Sequence, residues 1–246
     1  MKDTIRTIVV GLIFTLSMLA SLILYFPVLI LKLFKLGEQL ENYSYHISSN
    51  WGRFCFFLNN TKMTVHGLEN LPDHKNIVYI GNHQGYCDIP FIMANMPTMI
   101  GFIAKKELSK VPVMGIWMKV LHCIFLDREN FRKSMRDLET GIAEAAQGFP
   151  KVIFPEGTRS KGPKMGEFKA GSILLAAKAE ITIVPVTING TYKIWEEKKK
   201  LRQADLELTV HPFIDTKGMS EAEKKQLPKQ LWNTISGALP DTSKGE

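Results

Sequence analysis

The stretch from residue 76 to residue 90 reads "NIVYIGNHQGYCDIP" and joins an apolar run to a polar turn. The apolar half has the length and composition of a buried strand. Regular structure would separate His83 from Asp88, because a helix sets residues five apart about 140° from each other and a strand puts them on opposite faces. The two side chains can meet only across a turn, for which Gly85 supplies backbone freedom. Asp88 followed by Pro90 indicates that a helix starts there.

A histidine and an aspartate in contact would form a base. An aspartate bonded to one imidazole nitrogen fixes the tautomer, leaves the other nitrogen free and stabilises the imidazolium that forms. These two residues alone are equally compatible with Asp88 as a plain helix cap and His83 as a loop residue. Cys87 is an alternative nucleophile that would form an acyl-enzyme, although small buried cysteines are commoner than reactive ones.

Outward from this stretch the chain alternates between short apolar runs and longer amphipathic segments. This pattern predicts an α/β fold, with a mixed, largely parallel sheet flanked by helices. Six runs are predicted strands: 76–82, 99–105, 123–128, 151–157, 182–190 and 206–213. Two segments with apolar residues three and four apart are predicted helices: 129–147 and 168–179.

The N-terminal segment predicts a membrane anchor. Residues 7–31 form an uncharged apolar segment. As a helix it is long enough to cross a hydrocarbon core, and it is longer than the apolar part of a signal peptide. Pro27 could end this helix early, and residues 32–60 have an amphipathic character. A single span and a helix pair lying in one leaflet therefore both stay open. We expect an anchoring segment over residues 1–60 and an α/β domain over residues 61–246.

The net charge and the cysteine pattern limit which binding partners and metal sites the chain is expected to have. The formal net charge is +7, which favours an anionic partner such as a membrane surface or a phosphorylated substrate. No nucleic acid is expected, since the basic residues do not gather on a recognisable module. Three scattered cysteines without a CxxC pair predict neither a disulfide framework nor a zinc site, and we expect no metal and no cofactor. Lys32 and Lys35 favour a cytoplasmic main domain at the cell membrane, whereas Lys2 and Arg6 favour the reverse.

A second polar loop follows another predicted strand. Residues 154–160 read "FPEGTRS" directly after an apolar run. Ligands in open α/β sheets bind at the carboxyl ends of strands. This loop and residues 82–88, called the histidine loop below, could therefore face one crevice. Gly157 lets a ligand approach the backbone, and Arg159 can bind phosphate through two hydrogen bonds. A plain turn is the alternative interpretation of these residues.

Together, "NHQGYCD" and "FPEGTRS" resemble the two signature blocks of the glycerolipid acyltransferase family. "GFIAKKELSKVPVMG" is similar to the family's block between them, and "IVPVTING" is similar to its last block. The four blocks occur in the family's order, from about residue 78 to residue 190. Residues 1–60 carry no matching motif.

The resemblance implies transfer of a fatty acyl group from a thioester to a free hydroxyl of a lysophospholipid, giving phosphatidic acid when the acceptor is lysophosphatidic acid. It implies that His83 is the general base and Asp88 its orienting partner, without metal or acyl-enzyme. The residues that would hold the acceptor's glycerol phosphate are Lys105, Glu156, Gly157, Thr158 and Arg159. Acyl carrier protein and coenzyme A both stay open as thioester carriers. Another lysolipid acceptor, or a non-catalytic phospholipid-binding role, is the alternative.

Overall fold

The computed structural model of the protein describes residues 2–127 and 129–240. Within these residues a seven-stranded sheet is flanked by helices and preceded by two long helices. The helices are α1 (Lys2–Leu33), α2 (Gly37–Leu58), α3 (Asp88–Asn95), α4 (Met114–Val120), α5 (Phe131–Ala146), α6 (Ala170–Lys178) and α7 (Glu221–Gly237). The strands are β1 (Met63–His66), β2 (Ile77–Gly81), β3 (Gly101–Lys105), β4 (Ile124–Leu126), β5 (Lys151–Ile153), β6 (Thr182–Asn189) and β7 (Leu206–Val210).

The sheet is mixed and largely parallel, which confirms the predicted fold class. Its strand order is β1-β7-β6-β2-β5-β3-β4, and among these strands of the described residues only β6 and β7 pair antiparallel. The sequence predicts six of these strands. It misses β1, because this strand has only four half-buried or exposed residues at the edge of the sheet and no apolar run.

Strand β2 lies at the centre of the sheet and is buried on both faces. Ile77 and Tyr79 pack into the layer that holds α2 and α3, whereas Val78 and Ile80 pack against α5, α6 and α7. A strand covered on both faces needs apolar residues at every position rather than at alternate ones. This explains the unbroken apolar run that opens the histidine stretch.

The helices α5, α6 and α7, which cover one face of the sheet, are only partly predictable from the sequence. Helices α5 and α6 confirm the two amphipathic segments, and the Asn130 side chain caps α5 by accepting the backbone N–H of Lys133 at 3.0 Å. Helix α7 was not predicted, since its sequence is mostly polar and contains Pro228. A capping box between Ser220 and Glu223 was the local signal for it.

Helix α1 is one continuous helix of 32 residues. Pro27 lies inside it, so the expectation that this proline ends the helix early is wrong. By length and composition, α1 is the one helix among the described residues that could cross a membrane. It packs along α2, where Tyr43 donates its hydroxyl to the carbonyl of Leu24 at 2.9 Å. The division into an anchor and an acyltransferase domain near residue 60 stays a prediction.

Helix α2 packs closely on α3, which begins at Asp88. A Cβ atom at Gly52 would lie 2.5 Å from the carbonyl oxygen of Pro90. Arg53 donates from Nε to the carbonyl of Ala94 at 3.1 Å. The close approach of the two helices therefore depends on a glycine and fixes the element that carries Asp88.

We predict that Gly52→Ala lowers the free energy of unfolding by about 1–3 kcal/mol, because the added methyl group pushes α2 away from α3. Gly11→Ala in α1 is the matched control, since no atom beyond the backbone of its own helix lies within 4 Å of its Cβ position. Alanine is the better helix former, so this control should lose no stability. Urea unfolding in detergent micelles measures both variants, and equal unfolding free energies would contradict the prediction.

Candidate active site

Three polar segments meet at one edge of the sheet. Strands β6, β2 and β5 are adjacent and parallel, so the segments that follow them emerge side by side. These segments begin at Asn82 after β2, at Phe154 after β5 and at Gly190 after β6. Carboxyl ends of parallel strands are the usual ligand sites of such sheets.

His83 and Asp88 are in contact across the predicted turn. Nδ1 of His83 lies 2.6 Å from Oδ2 of Asp88, and the same oxygen accepts the backbone N–H of Gly85 at 2.9 Å. Asp88 is fully buried and is the first residue of α3, with Cys87 at the N-cap position. Its other oxygen, Oδ1, accepts the hydroxyl of Thr191. The carboxylate is therefore held on both sides.

This contact determines which nitrogen of His83 can act as a base. A carboxylate at Nδ1 favours the tautomer that carries its proton there, which leaves the Nε2 lone pair available. The imidazole also stacks on Phe154, with ring centroids 4.2 Å apart and planes 7° apart. Among the described residues, the hydrogen bonds of the ring use Nδ1 alone. The ring is thus fixed in orientation with one nitrogen uncommitted.

Three buried carboxylates bind the backbone of the histidine loop. The amide of His83 donates to Oε1 of Glu156 at 2.6 Å, and the amide of Tyr86 donates to Oε1 of Glu196 at 2.8 Å. The amide of Gly85 is bonded to Asp88, as described above. These three N–H groups are occupied, so none of them is free to stabilise an oxyanion.

Glu156 serves both polar loops. Its second oxygen, Oε2, accepts the amide of Gly166 at 2.8 Å, so Glu156 joins the loop of His83 to the later part of its own segment between β5 and α6. Burial raises the pKa of this carboxyl, whereas the amides of His83 and Gly166 lower it. Both carboxylate oxygens thus bind backbone amides. A contact of Glu156 with the acceptor's glycerol phosphate stays a prediction.

The "FPEGTRS" loop lies directly on the histidine loop. The amide of Ser160 donates to the carbonyl of His83 at 2.7 Å, and the amide of Lys161 donates to the carbonyl of Gln84 at 3.1 Å. Arg159 directly precedes these two residues, and its guanidinium lies 3.5 Å from the centroid of the Tyr86 ring. The structure therefore brings the predicted phosphate-binding arginine against the loop that carries the predicted base.

The other predicted phosphate ligands lie along the same edge. Gly157 has φ +69°, the left-handed region that favours glycine, and Thr158 is exposed. Lys105 ends β3, the neighbour of β5, and lies 3.5 Å from Glu107 at the surface. Their contacts with a substrate stay predictions.

The thiol of Cys87 is a poor nucleophile in this structure. Burial raises its pKa, and the negative charge of Asp88 raises it further. A thiol whose pKa is raised carries little thiolate near neutral pH, and the thiolate is the reactive form. Burial of this thiol therefore argues against an acyl-enzyme on Cys87.

Sequence reasoning missed two residues of this site. Thr191 bonds Asp88 and Glu196 bonds the loop amide of Tyr86, and both follow β6. The position of a polar residue just after a parallel strand was the available signal. It was weak, because these contacts join residues that are 103 and 110 positions apart in the sequence.

A half-buried histidine paired with a buried aspartate at the carboxyl edge of a mixed sheet defines a candidate site for general-base chemistry. The family model described as Acyltransferase matches residues 62–189, which covers the sheet from β1 to β6 and both polar loops. The chain belongs to this acyltransferase family, and the predicted family and enzyme class are confirmed.

Known relatives agree with this family. The chain is 30% identical over 245 residues to the probable 1-acyl-sn-glycerol-3-phosphate acyltransferase of Mycoplasma pneumoniae, covering 89% of this chain and 90% of the relative. It is 31% identical over 191 residues to a 1-acyl-sn-glycerol-3-phosphate acyltransferase of Chlamydomonas reinhardtii, covering 73% of this chain but only 57% of that longer relative. It is also similar to the crystal structure of the 1-acyl-sn-glycerophosphate (LPA) acyltransferase PlsC from Thermotoga maritima, with a TM-score of 0.82, 26% identity and 99% of each chain covered.

We predict that Thr191→Val slows acyl transfer by about 10- to 100-fold, because a hydrogen bond to a charged group contributes about 1.5–3 kcal/mol. Valine keeps the volume of the side chain and removes the hydroxyl, which bonds Asp88 and also lies 3.3 Å from Oε1 of Gln84. Thr187→Val is the matched control, since this buried threonine donates to the carbonyl of Ile235 on α7 instead. Its folded fraction should turn over at the normal rate. Equal kcat values for the two variants would contradict the role of Thr191.

Proposed function

We propose that this chain transfers a fatty acyl group from an acyl thioester to the sn-2 hydroxyl of lysophosphatidic acid, forming phosphatidic acid. The observation that supports this most is the 2.6 Å contact of His83 with a fully buried Asp88 in an acyltransferase-family loop. The relatives named above supply the acceptor, since their names specify 1-acyl-glycerol-3-phosphate.

In the proposed reaction His83 acts as a general base. Its Nε2 takes the proton of the acceptor hydroxyl while the oxygen attacks the thioester carbonyl carbon. The tetrahedral intermediate then collapses, the carbon–sulfur bond breaks, and the imidazolium returns the proton to the leaving sulfur. The products are an ester and a free thiol, with His83 neutral again. A hydroxyl ionises far above neutral pH, so a positioned base should contribute about 100- to 10,000-fold.

Arg159 is the proposed ligand of the acceptor's phosphate. A guanidinium presents five N–H donors and binds phosphate through two of them at once. Nη1 of Arg159 donates to Oε1 of Glu196 at 3.1 Å. The arginine side chain is 23% exposed, so some of its other N–H donors face solvent. Gly157, Thr158, Lys105 and Glu156 complete the proposed phosphate-binding edge.

Membrane attachment is part of the proposal, because lysophosphatidic acid resides in a bilayer. Helix α1 supports it with exposed apolar side chains along its length, among them Ile8, Leu12 and Ile23. We further propose that the protein lies at the cell membrane with its site on the cytoplasmic face. The thioester carrier in this proposal is acyl carrier protein or coenzyme A.

We predict that His83→Ala binds phospholipid vesicles normally but makes phosphatidic acid at least about 100-fold more slowly. The assay supplies lysophosphatidic acid with each of the two carriers and follows phosphatidic acid by mass spectrometry. His66→Ala is the matched control, since His66 also contacts a carboxylate, Glu207 at 3.1 Å, but lies exposed on β1. Normal turnover by the His83 variant would refute the mechanism. Wild-type protein that acylates only other lysolipids would refute the acceptor.

We predict that Arg159→Ala raises the KM for lysophosphatidic acid by about tenfold or more, since charge-assisted bonds to phosphate are about twice as strong as neutral ones. The KM for a monoacylglycerol of the same chain length should change little. Steady-state kinetics with both acceptors measures the difference. An equal rise in both KM values would argue against a phosphate contact.

A further inference from the structure

The most buried acidic side chain outside the predicted site is that of Glu196. It is 0% exposed, although the next four residues in the chain are all exposed. Burying a carboxylate is costly unless it is paired and hydrogen-bonded. Glu196 therefore needs strong partners, and both of its partners belong to the active-site loops.

A single oxygen of Glu196 joins the two loops. Oε1 accepts the backbone N–H of Tyr86 at 2.8 Å and Nη1 of Arg159 at 3.1 Å. The ring of Tyr86 covers the same guanidinium at 3.5 Å. Arg159 is thus held between a carboxylate and an aromatic face, and both of these depend on the position of the histidine loop.

The second oxygen of Glu196 fits against the turn itself. Oε2 is buried without a hydrogen-bond partner among the described residues. A Cβ atom at Gly85 would lie 2.5 Å from it, so the carboxylate occupies the space that any other residue at position 85 would need. The turn between His83 and Asp88 and the carboxylate of Glu196 are therefore packed as one unit.

We propose that Glu196 is a positioning residue that fixes Arg159 relative to His83, and so sets the distance between the acceptor's phosphate and the base. This inference rests on the proposed function for its substrate. A guanidinium on a surface loop would otherwise sample many rotamers, and a misplacement of about 1 Å can cost about 100-fold in rate. Glu196 takes one nitrogen of Arg159 and leaves the others for phosphate.

The kinetic test compares Glu196→Ala and Glu196→Gln. Glutamine keeps an oxygen for the Tyr86 amide and loses the charge that pairs with Arg159. We expect kcat/KM for lysophosphatidic acid to fall by about tenfold in the glutamine variant and about 100-fold in the alanine variant. The fall for an uncharged monoacylglycerol should be several-fold smaller. Glu197→Gln is the matched control, because this exposed neighbour pairs with Arg202 at 3.4 Å on the surface and should behave like wild type.

A double-mutant cycle tests whether Glu196 acts through Arg159. Adding Glu196→Gln to Arg159→Ala should raise the KM for lysophosphatidic acid no further than Arg159→Ala alone, since the interacting partner is already gone. Independent, multiplicative effects would overturn the proposal. A lower KM with unchanged kcat in Glu196→Gln would also overturn it, because Glu196 would then compete with the phosphate for Arg159.

Hydrogen exchange provides a readout that does not depend on the substrate. Glu196→Ala should exchange the amides of residues 82–88 faster than wild type, and Glu196→Gln should do so to a smaller extent because it keeps an uncharged acceptor, whereas Glu197→Gln should not. Unchanged exchange in both variants would refute the positioning role even in an active enzyme. Wild-type protein that makes no phosphatidic acid would instead refute the proposed function, while the exchange data would still decide what Glu196 holds.

Discussion

The active-site edge depends on one buried carboxylate, that of Asp88. It accepts the imidazole of His83 and the amide of Gly85 on one oxygen and the hydroxyl of Thr191 on the other. An ionised carboxylate at 0% exposure is tolerated only with such a set of donors. Because the donors come from its own turn and from the segment after β6, the same contacts that stabilise the charge also fix the direction of the base.

Two further carboxylates extend this principle to the whole loop. Glu156 and Glu196 each bind one amide of the histidine loop with one oxygen, and Glu156 binds an amide later in its own segment with the other. Hydrogen bonds from amides to buried carboxylates are strong because the surroundings have a low dielectric constant. The loop is therefore held from three elements: the start of α3, the loop after β5 and the segment after β6. This framework supports the proposed role of His83 as a positioned base rather than a reactive thiol at Cys87.

The sequence predicted most of the sheet and the turn that joins His83 to Asp88, but not the parts that depend on distant contacts. The central strands appear as unbroken apolar runs because both of their faces are buried, and the spacing of His83 and Asp88 requires a turn. Strand β1 and helix α7 have weak local patterns, since few of their residues are buried. Thr191 and Glu196 gain their roles only when β6 is placed beside β2. Pro27 was misjudged, because a proline late in a long apolar helix need not end it.

The state of the imidazole tests the central claim most directly. Nitrogen NMR of protein labelled with ¹⁵N-histidine reports which ring nitrogen of His83 carries the proton, and His83→Ala identifies its signals. Because Asp88 accepts a hydrogen bond from Nδ1, we predict that neutral His83 carries its proton on Nδ1 and leaves Nε2 unprotonated. Asp88→Ala should weaken this preference. A neutral ring protonated on Nε2 in the wild-type protein would contradict the account.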